Sequence, residues 1–336
     1  MYTCIKHRKI TEVKEAWEKI YAENPLLAPY QSYEFCSLVA ADYRLSHLRV
    51  LLKPVFFEIK RDGETVVIVP LWRKPIKKPP FTEYYLFPDF CLCGYLDVVY
   101  RADCTDEDFE AALKLVKERI KGSITFRRVN ETSRFGQYLL GHFEPYGDAP
   151  SAMVSFPDGY DPYFASLGKQ TRQNVRTSRN RLKRDEKSYE LKVFSRQPLE
   201  DELWDKVLRV HLKRKLIRDN VREGGLRNYV DRKHDPMERA LRTLPFNCLF
   251  MLEIDGVEAA YLVGFLSNDG KTLVVPRLAI DDDFKFYSPG ILLVAETISY
   301  LAENTDVRNL DLCHGEQSYK YVMGAHARTN YYFTID

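Results

Sequence analysis

Apolar residues at helical spacing open the chain, with Val13, Trp17 and Ile20 on one side of residues 11–22. "SYEFCSLVAADY" (32–43) predicts a second helix. Two apolar runs, 54–60 and 64–72, flank the turn "RDG" at 61–63 and predict a β-hairpin. The basic, proline-rich "KPIKKPP" (74–80) reads as a loop, and "GYLDVVY" (94–100) as a strand. "TDEDFEAALKLVKERI" (105–120) opens with a threonine cap and acids and continues as a helix. "SITFRRV" (123–129) is the next strand, and "ETSRFGQYLLGH" a short helix. Pro145, Pro150, Pro157 and Pro162 crowd residues 144–162, so the domain boundary is placed there.

The second half repeats the order. A basic segment near 164–187 and "LEDELWDKVLRVHLKRKLI" (199–217) read as helices. "NCLFMLEI" (247–254), the turn "DG" and "VEAAYLVGFL" (257–266) form a hairpin. A strand at 271–280, a helix from Pro289 to Glu303 and a short strand at 308–312 follow. Each half thus runs helix, helix, hairpin, strand, helix, strand, an echo in structure without a repeat in residues. The expectation is an α/β (α+β) chain of two domains, 1–150 and 151–336, each a mixed, mostly antiparallel sheet flanked by helices.

Composition narrows the function classes. The chain has 336 residues, 45% hydrophobic and 29% charged, with a net charge of +2. That balance argues against general coating of nucleic acid. The first twenty residues have no apolar run, and no window has the length a membrane span needs. The seven cysteines are scattered, and Cys91 and Cys93 lack the spacing of a zinc site. The reading is a cytoplasmic protein with reduced thiols and no metal.

One short segment departs from this balance. From Lys169 to Lys187 there are eight Lys or Arg and two acids. On a helix, Leu167, Thr171, Val175, Ser178 and Leu182 form one stripe, and Arg172, Arg176, Arg179 and Lys183 form the next. Two readings stand side by side. The cations form a solvated face paired with acids elsewhere in the fold, or they meet an anionic ligand. Aromatic residues do not interleave them, which weakens the nucleic-acid version.

"LAIDDDFKFYSPGILLVAETISYL" (278–301) carries the most chemistry. A strand ends at Ile280, and a helix begins with "SPGIL". Ser288 suits the cap, Pro289 the first turn, and Gly290 a close approach of ligand to backbone. The free N–H groups of such a helix start suit a pyrophosphate; the bland alternative is an ordinary capped helix.

This layout resembles the GNAT acyltransferase superfamily. Its signature Gln/Arg-x-x-Gly-x-Gly/Ala is met by Lys285-x-x-Ser288-x-Gly290, in which only the last glycine is faithful. "YFASLGKQTRQNVRTSRNRLKRD" (163–185) is similar to the basic helix of the CelD/BcsL-like branch, which is related to the FemAB ligases. "LDLCHGEQSYKYVMGA" (310–325) is similar to that branch's "FDFxRGDEPYKYRWG". The resemblance covers residues 155–330, with a degenerate first GNAT-like unit before it.

The resemblance implies tandem GNAT-like units and an N-acyltransferase. Acetyl-CoA or another acyl-CoA would be the co-substrate, and a small-molecule or saccharide amine the acceptor, such as an amino sugar or polysaccharide precursor. DNA and metal are not implied. Leu278 and Ile280 would contact the pantetheine arm, and Lys285, Ser288, Gly290 and Ile291 the pyrophosphate. For acid–base work the resemblance offers Asp311, His314, Glu316 and Tyr319, with Glu316 the favoured base and Tyr319 the proton donor to the leaving thiolate. Packing is the competing role for Tyr319 and for Lys320, the latter paired with Asp311. Arg172, Arg176 and Lys320 are the substrate-binding candidates. Two alternatives remain: a FemAB-like transferase using aminoacyl-tRNA, and a catalytically silent protein that keeps the fold.

Overall fold

In the structure, a computed structural model describing residues 1–45, 52–75, 82–89, 93–219 and 236–336, both hairpins form where the turn residues permit them. Asp62 and Gly63 take φ of 53° and 90°, and Asp255 and Gly256 take 50° and 75°. Such left-handed pairs match the twist of the flanking strands. The first turn joins β2 (Lys53–Arg61) to β3 (Glu64–Pro75), and the second joins β9 (Asn247–Ile254) to β10 (Val257–Leu266). Most of the basic loop at 74–80 lies outside the described residues, as does Cys91.

The chain divides into two units. The first comprises Met1–Ser151, Ser267–Asp269 and Arg328–Asp336, and the second Ala152–Leu266 and Gly270–Ala327. In the first, β1 (Tyr2–His7), β2, β3, β4 (Thr82–Leu86), β6 (Ile124–Asn130) and β13 (His326–Ile335) lie side by side in that order. The β4–β6 pair is parallel, and the other neighbouring pairs are antiparallel. The helices α1 (Lys14–Glu23), α2 (Tyr33–Leu45), α3 (Asp106–Arg119) and α4 (Arg134–His142) complete this unit. Thr105 caps α3 through a reciprocal box with Asp108, as the sequence predicts. Edge-to-face aromatics such as Trp17–Phe56 and Phe126–Phe135 fill the core.

In the second unit β12 (Asn309–His314), β11 (Thr272–Ile280), β10, β9 and β8 (Tyr189–Ser195) are neighbours in that order. The β11–β12 pair is parallel and the rest antiparallel. A short helix, α8 (Pro236–Thr243), leads into β9 and buries Met237, Ala240 and Leu241. The helix α9 (Pro289–Asn304) lays Leu292, Ile298 and Leu301 into a core with Leu262 and Phe250. Tyr261, the next residue on β10, points the other way and bonds His211 of α7 (Asp201–Asp219). Helices α7 and α9 therefore cover opposite faces of the sheet.

Several elements differ from the sequence reading. The strand expected at 94–100 is reduced to β5 (Val99–Tyr100), because Asp97 turns its carboxylate onto the Val98 N–H at 2.8 Å. The proline-rich stretch at 144–162 contains a strand, β7 (Gly147–Ser155). The basic segment is two helices, α5 (Tyr160–Ser166) and α6 (Lys169–Arg184), broken where Leu167 and Gly168 are extended, with ψ of 151° and 146°. Gly324 lies against Leu167 there, so a Cβ on the glycine would meet the leucine at 3.0 Å. The buried stripe of α6 is as expected: Thr171, Val175, Ser178 and Leu182.

Candidate functional site

The site grows out of a fork between two parallel strands. β11 and β12 pair only from Thr272–Asn309 to Val274–Asp311. Beyond that point β11 stays paired with β10 as far as Ile280. Its other edge is thus open from Val275 onward. Backbone groups alternate between the two edges of a strand. Asp281 donates its N–H to Ala259 O at 2.8 Å, and the register places Ala279 opposite Tyr261. Residues 279 and 277 therefore face β10, and the N–H and C=O groups of Leu278 and Ile280 face the open edge.

Local sequence makes the fork. Asp311 is fully buried at the last paired position, and its Oδ1 accepts the Cys313 N–H at 2.8 Å. This closes a turn over Leu312 in which Cys313 takes φ of 55°. Pro276 lacks a backbone donor. On the other side of β11, the β10 register slips between Val263 and Phe265. Gly264 fills that slip, since a Cβ there would lie 1.9 Å from Val274 O.

A cleft of about 670 Å³ occupies the fork. Val275–Ile280 form one wall, Lys285 and Ser288–Ile291 another, and Leu312, His314, Gln317, Tyr319 and Lys320 a third. Of the residues singled out by sequence, Leu278, Ile280, Lys285, Ser288, Gly290, Ile291, His314, Tyr319 and Lys320 come together here. Asp311 lies beneath the fork without lining it. Glu316 is exposed and also outside the lining.

The start of α9 differs from its expected form. Ser288 occupies the cap position with φ 51° and ψ 54°, and its side chain makes no cap hydrogen bond. The left-handed conformation explains why the superfamily signature has glycine at this position. Leu292 N–H returns to Ser288 O at 3.2 Å. Gly290 and Ile291 belong to the first turn, whose N–H groups have no carbonyl one turn back. Gly290 also has a packing role, because its Cβ would meet Ile280 Cγ2 at 3.1 Å.

Lys320 is buried, and its ammonium donates to three successive carbonyls: Cys313 at 3.2 Å, His314 at 2.9 Å and Gly315 at 3.1 Å. Burial pulls its pKa below the usual lysine value, partly offset by nearby Cys313 and Asp311. The three bonds fix the turn that presents His314. Burial pushes the Tyr319 phenol up to about 12, so it keeps its proton at neutral pH.

The basic helix is occupied by its own fold. Arg172 donates to Ala165 O at 2.8 Å and also to Leu167 O, closing the end of α5. Arg176 lies 5.7 Å over the Phe164 ring. Arg179 pairs with Glu296 of α9 at 3.0 Å, and Arg181 donates to Phe286 O at 2.6 Å. Neither Arg172 nor Arg176 lines the cleft.

Lining residues that the sequence did not single out include His211, Arg214, Arg277 and Gln317. Arg214 grips Asp282 with both bonds from Nη1, at 2.9 and 2.8 Å. His211 Nδ1 is 2.8 Å from Tyr261 OH. A signal for it existed, since His211 follows Trp204 and Val207 on one helical stripe, where both of those residues are buried.

Parallel strands that diverge over a helix start define the class. Residues 169–321 match the family described as "Acetyltransferase (GNAT) domain". That segment is therefore similar to the GNAT acetyltransferase family. Among solved structures it is similar to FemX, at 14% identity over 99% of this chain and 96% of that one, with a TM-score of 0.61. It is also similar to a tandem GNAT protein from the clavulanic acid biosynthesis pathway, at 12% identity over 100% and 98%, TM-score 0.51. L-PGS from Bacillus licheniformis matches at 11% identity over 88% and 90%, TM-score 0.50. These likenesses concern the fold. No curated protein matches the chain in sequence. Among the described residues no helix is long and apolar enough to cross a membrane, and no His/Cys/Asp/Glu cluster is placed to hold a metal.

Proposed function

We propose that the chain is an N-acyltransferase that moves an acyl group, acetyl in the first instance, from acyl-CoA to an amine on a small molecule or saccharide precursor. The observation that carries this reading is the open edge of β11 running into the start of α9. An extended pantetheine arm can add to that edge as a strand would, through Leu278 and Ile280. The pyrophosphate then meets the N–H groups of Gly290 and Ile291, with the exposed Lys285 beside them.

The chemistry follows from the third wall. The amine nitrogen attacks the thioester carbonyl, a C–N bond forms and the C–S bond breaks. His314 takes the proton that the amine sheds, and Tyr319 supplies one to the departing thiolate. His314 is preferred to Glu316 as the base because it lines the cleft and Glu316 does not. The test is release of free CoA thiol from acetyl-CoA across a panel of amino sugars and polyamines. Amine-dependent release that falls strongly in Tyr319→Phe supports the reading. Transfer from aminoacyl-tRNA with no release from any acyl-CoA would replace it by the FemAB-like alternative.

A further inference from the structure

The first unit carries a feature the acyl-transfer reading does not use. Two hollows, of about 760 and 480 Å³, share Lys6, Arg73 and Tyr84 in their linings. The first adds Arg8, Lys9 and Lys53, and the second adds Arg119 and Lys121 from the end of α3. Among the described residues no carboxylate lines either one.

Strand register explains the concentration. Lys53 of β2 stands directly opposite Arg73 of β3, which stands opposite Tyr84 of β4. Directly opposed residues share a face with Cβ atoms about 5 Å apart, and like charges in that position are destabilising. The acids of these strands are on the other face. Glu83 pairs with Lys74 at 3.4 Å and Tyr85 at 2.6 Å. Glu58 pairs with His7 at 2.9 Å and Lys60 at 3.4 Å. Glu12 is turned onto the backbone N–H of Arg8 at 3.1 Å. Lys117, not the cluster, serves the end of α3 by donating to Gly122 O at 2.7 Å. Lys6 lies 5.6 Å over the Phe57 ring and Arg73 bonds the Tyr84 hydroxyl, but neither partner carries a negative charge to neutralise the opposed cations.

We infer that this hollow, formed around Lys53, Arg73 and Lys6, binds a compact polyphosphate carrying several negative charges. So many cations exceed what a single phosphate would engage. The concave form suits a small anion better than a flat bilayer surface. Among the described residues the one aromatic in the linings, Tyr84, is buried, so these residues offer no platform for stacking bases along a nucleic acid strand.

The experiment is calorimetric titration of the full chain with inorganic tripolyphosphate, and with ATP to separate a bare phosphate chain from a nucleotide. A parallel co-sedimentation uses phosphatidylglycerol vesicles. The expected result is saturable tripolyphosphate or ATP binding that weakens as salt rises. It should weaken at least tenfold in Lys53→Gln/Arg73→Gln. That variant should melt no lower than the parent, because it removes a repulsion. Arg119→Gln, away from the sheet row, provides a second variant and should also weaken binding. Acetyl-CoA titration of the same variants should be unchanged. Absence of phosphate binding, retention of binding in both variants, or binding to vesicles alone would overturn the assignment.

Discussion

Replacing Arg179 by methionine separates a structural role for the basic helix from a ligand-binding one. Arg179 Nε donates to Glu296 Oε1 at 3.0 Å, and Tyr189 OH donates to the same oxygen at 3.2 Å. The two side chains are 36% and 18% exposed, so the pair lies between the surface and buried cases. Surface pairs contribute about 0–1 kcal/mol, whereas breaking a buried pair costs about 3–5. Methionine keeps much of the apolar stem packing. The expected loss is therefore about 1–2 kcal/mol. At roughly 2–4 °C per kcal/mol for a domain of 150–250 residues, the second unit should melt about 2–8 °C lower. A cycle with Glu296→Gln should show a coupling of about 1 kcal/mol, because each variant removes the same contact. Differential scanning calorimetry measures the first quantity, and acetyl-CoA titration of the same samples checks that affinity holds. Unchanged melting with weakened acetyl-CoA binding would refute the reasoning and return the stripe to an anion-binding role.

Three other outcomes are expected. Gly264→Ala should cost several kcal/mol and leave little folded protein at 37 °C by circular dichroism, because its Cβ would collide with Val274 O at 1.9 Å. Burial raises Asp97 from 3.8 to about 7, so its contribution to stability is present at acidic pH and is lost as pH rises through about 7. Asp97→Asn keeps an acceptor for the Val98 N–H, so its stability relative to the parent should rise between pH 4 and 7 in urea melts. The gain is at most about 4 kcal/mol, since each tenfold change in proton affinity is worth about 1.4 kcal/mol. On the proposed function, Lys285→Glu should weaken acetyl-CoA binding by about tenfold or more with melting unaltered, since Lys285 is exposed and lines the cleft beside the start of α9.

What could be read in advance was local. The hairpin turns at Asp62–Gly63 and Asp255–Gly256, the Thr105 cap and the start of α9 at Pro289 each depend on a few adjacent residues. The buried stripe of α6 was legible because periodicity alone sets it. The partners of its cationic stripe were not. Glu296 and the Phe286 carbonyl lie more than a hundred residues along the chain, and only the fold brings them to Arg179 and Arg181. The same holds for the fork. "LDLCHGEQ" gives no sign that Asp311 will turn its carboxylate onto Cys313 where β12 leaves β11. Proline density hid β7, a strand that tolerates Pro150, and Ser288 looked like a cap because its left-handed backbone is set by context. His211 was visible as a polar residue on an apolar stripe, but its hydrogen-bond partner Tyr261 comes from another element that only the fold brings beside it.

The central claim is that the open edge of β11 holds the acyl-CoA arm, and amide hydrogen exchange with and without acetyl-CoA tests it residue by residue. Leu278 and Ile280 N–H groups face the fork, whereas Ala279 faces β10. On adding acetyl-CoA, exchange at Leu278 and Ile280 should slow together with Gly290 and Ile291, and Ala279 should change least. Unaltered exchange at Leu278 and Ile280 in saturating acetyl-CoA, or protection confined to the first unit, would contradict the account.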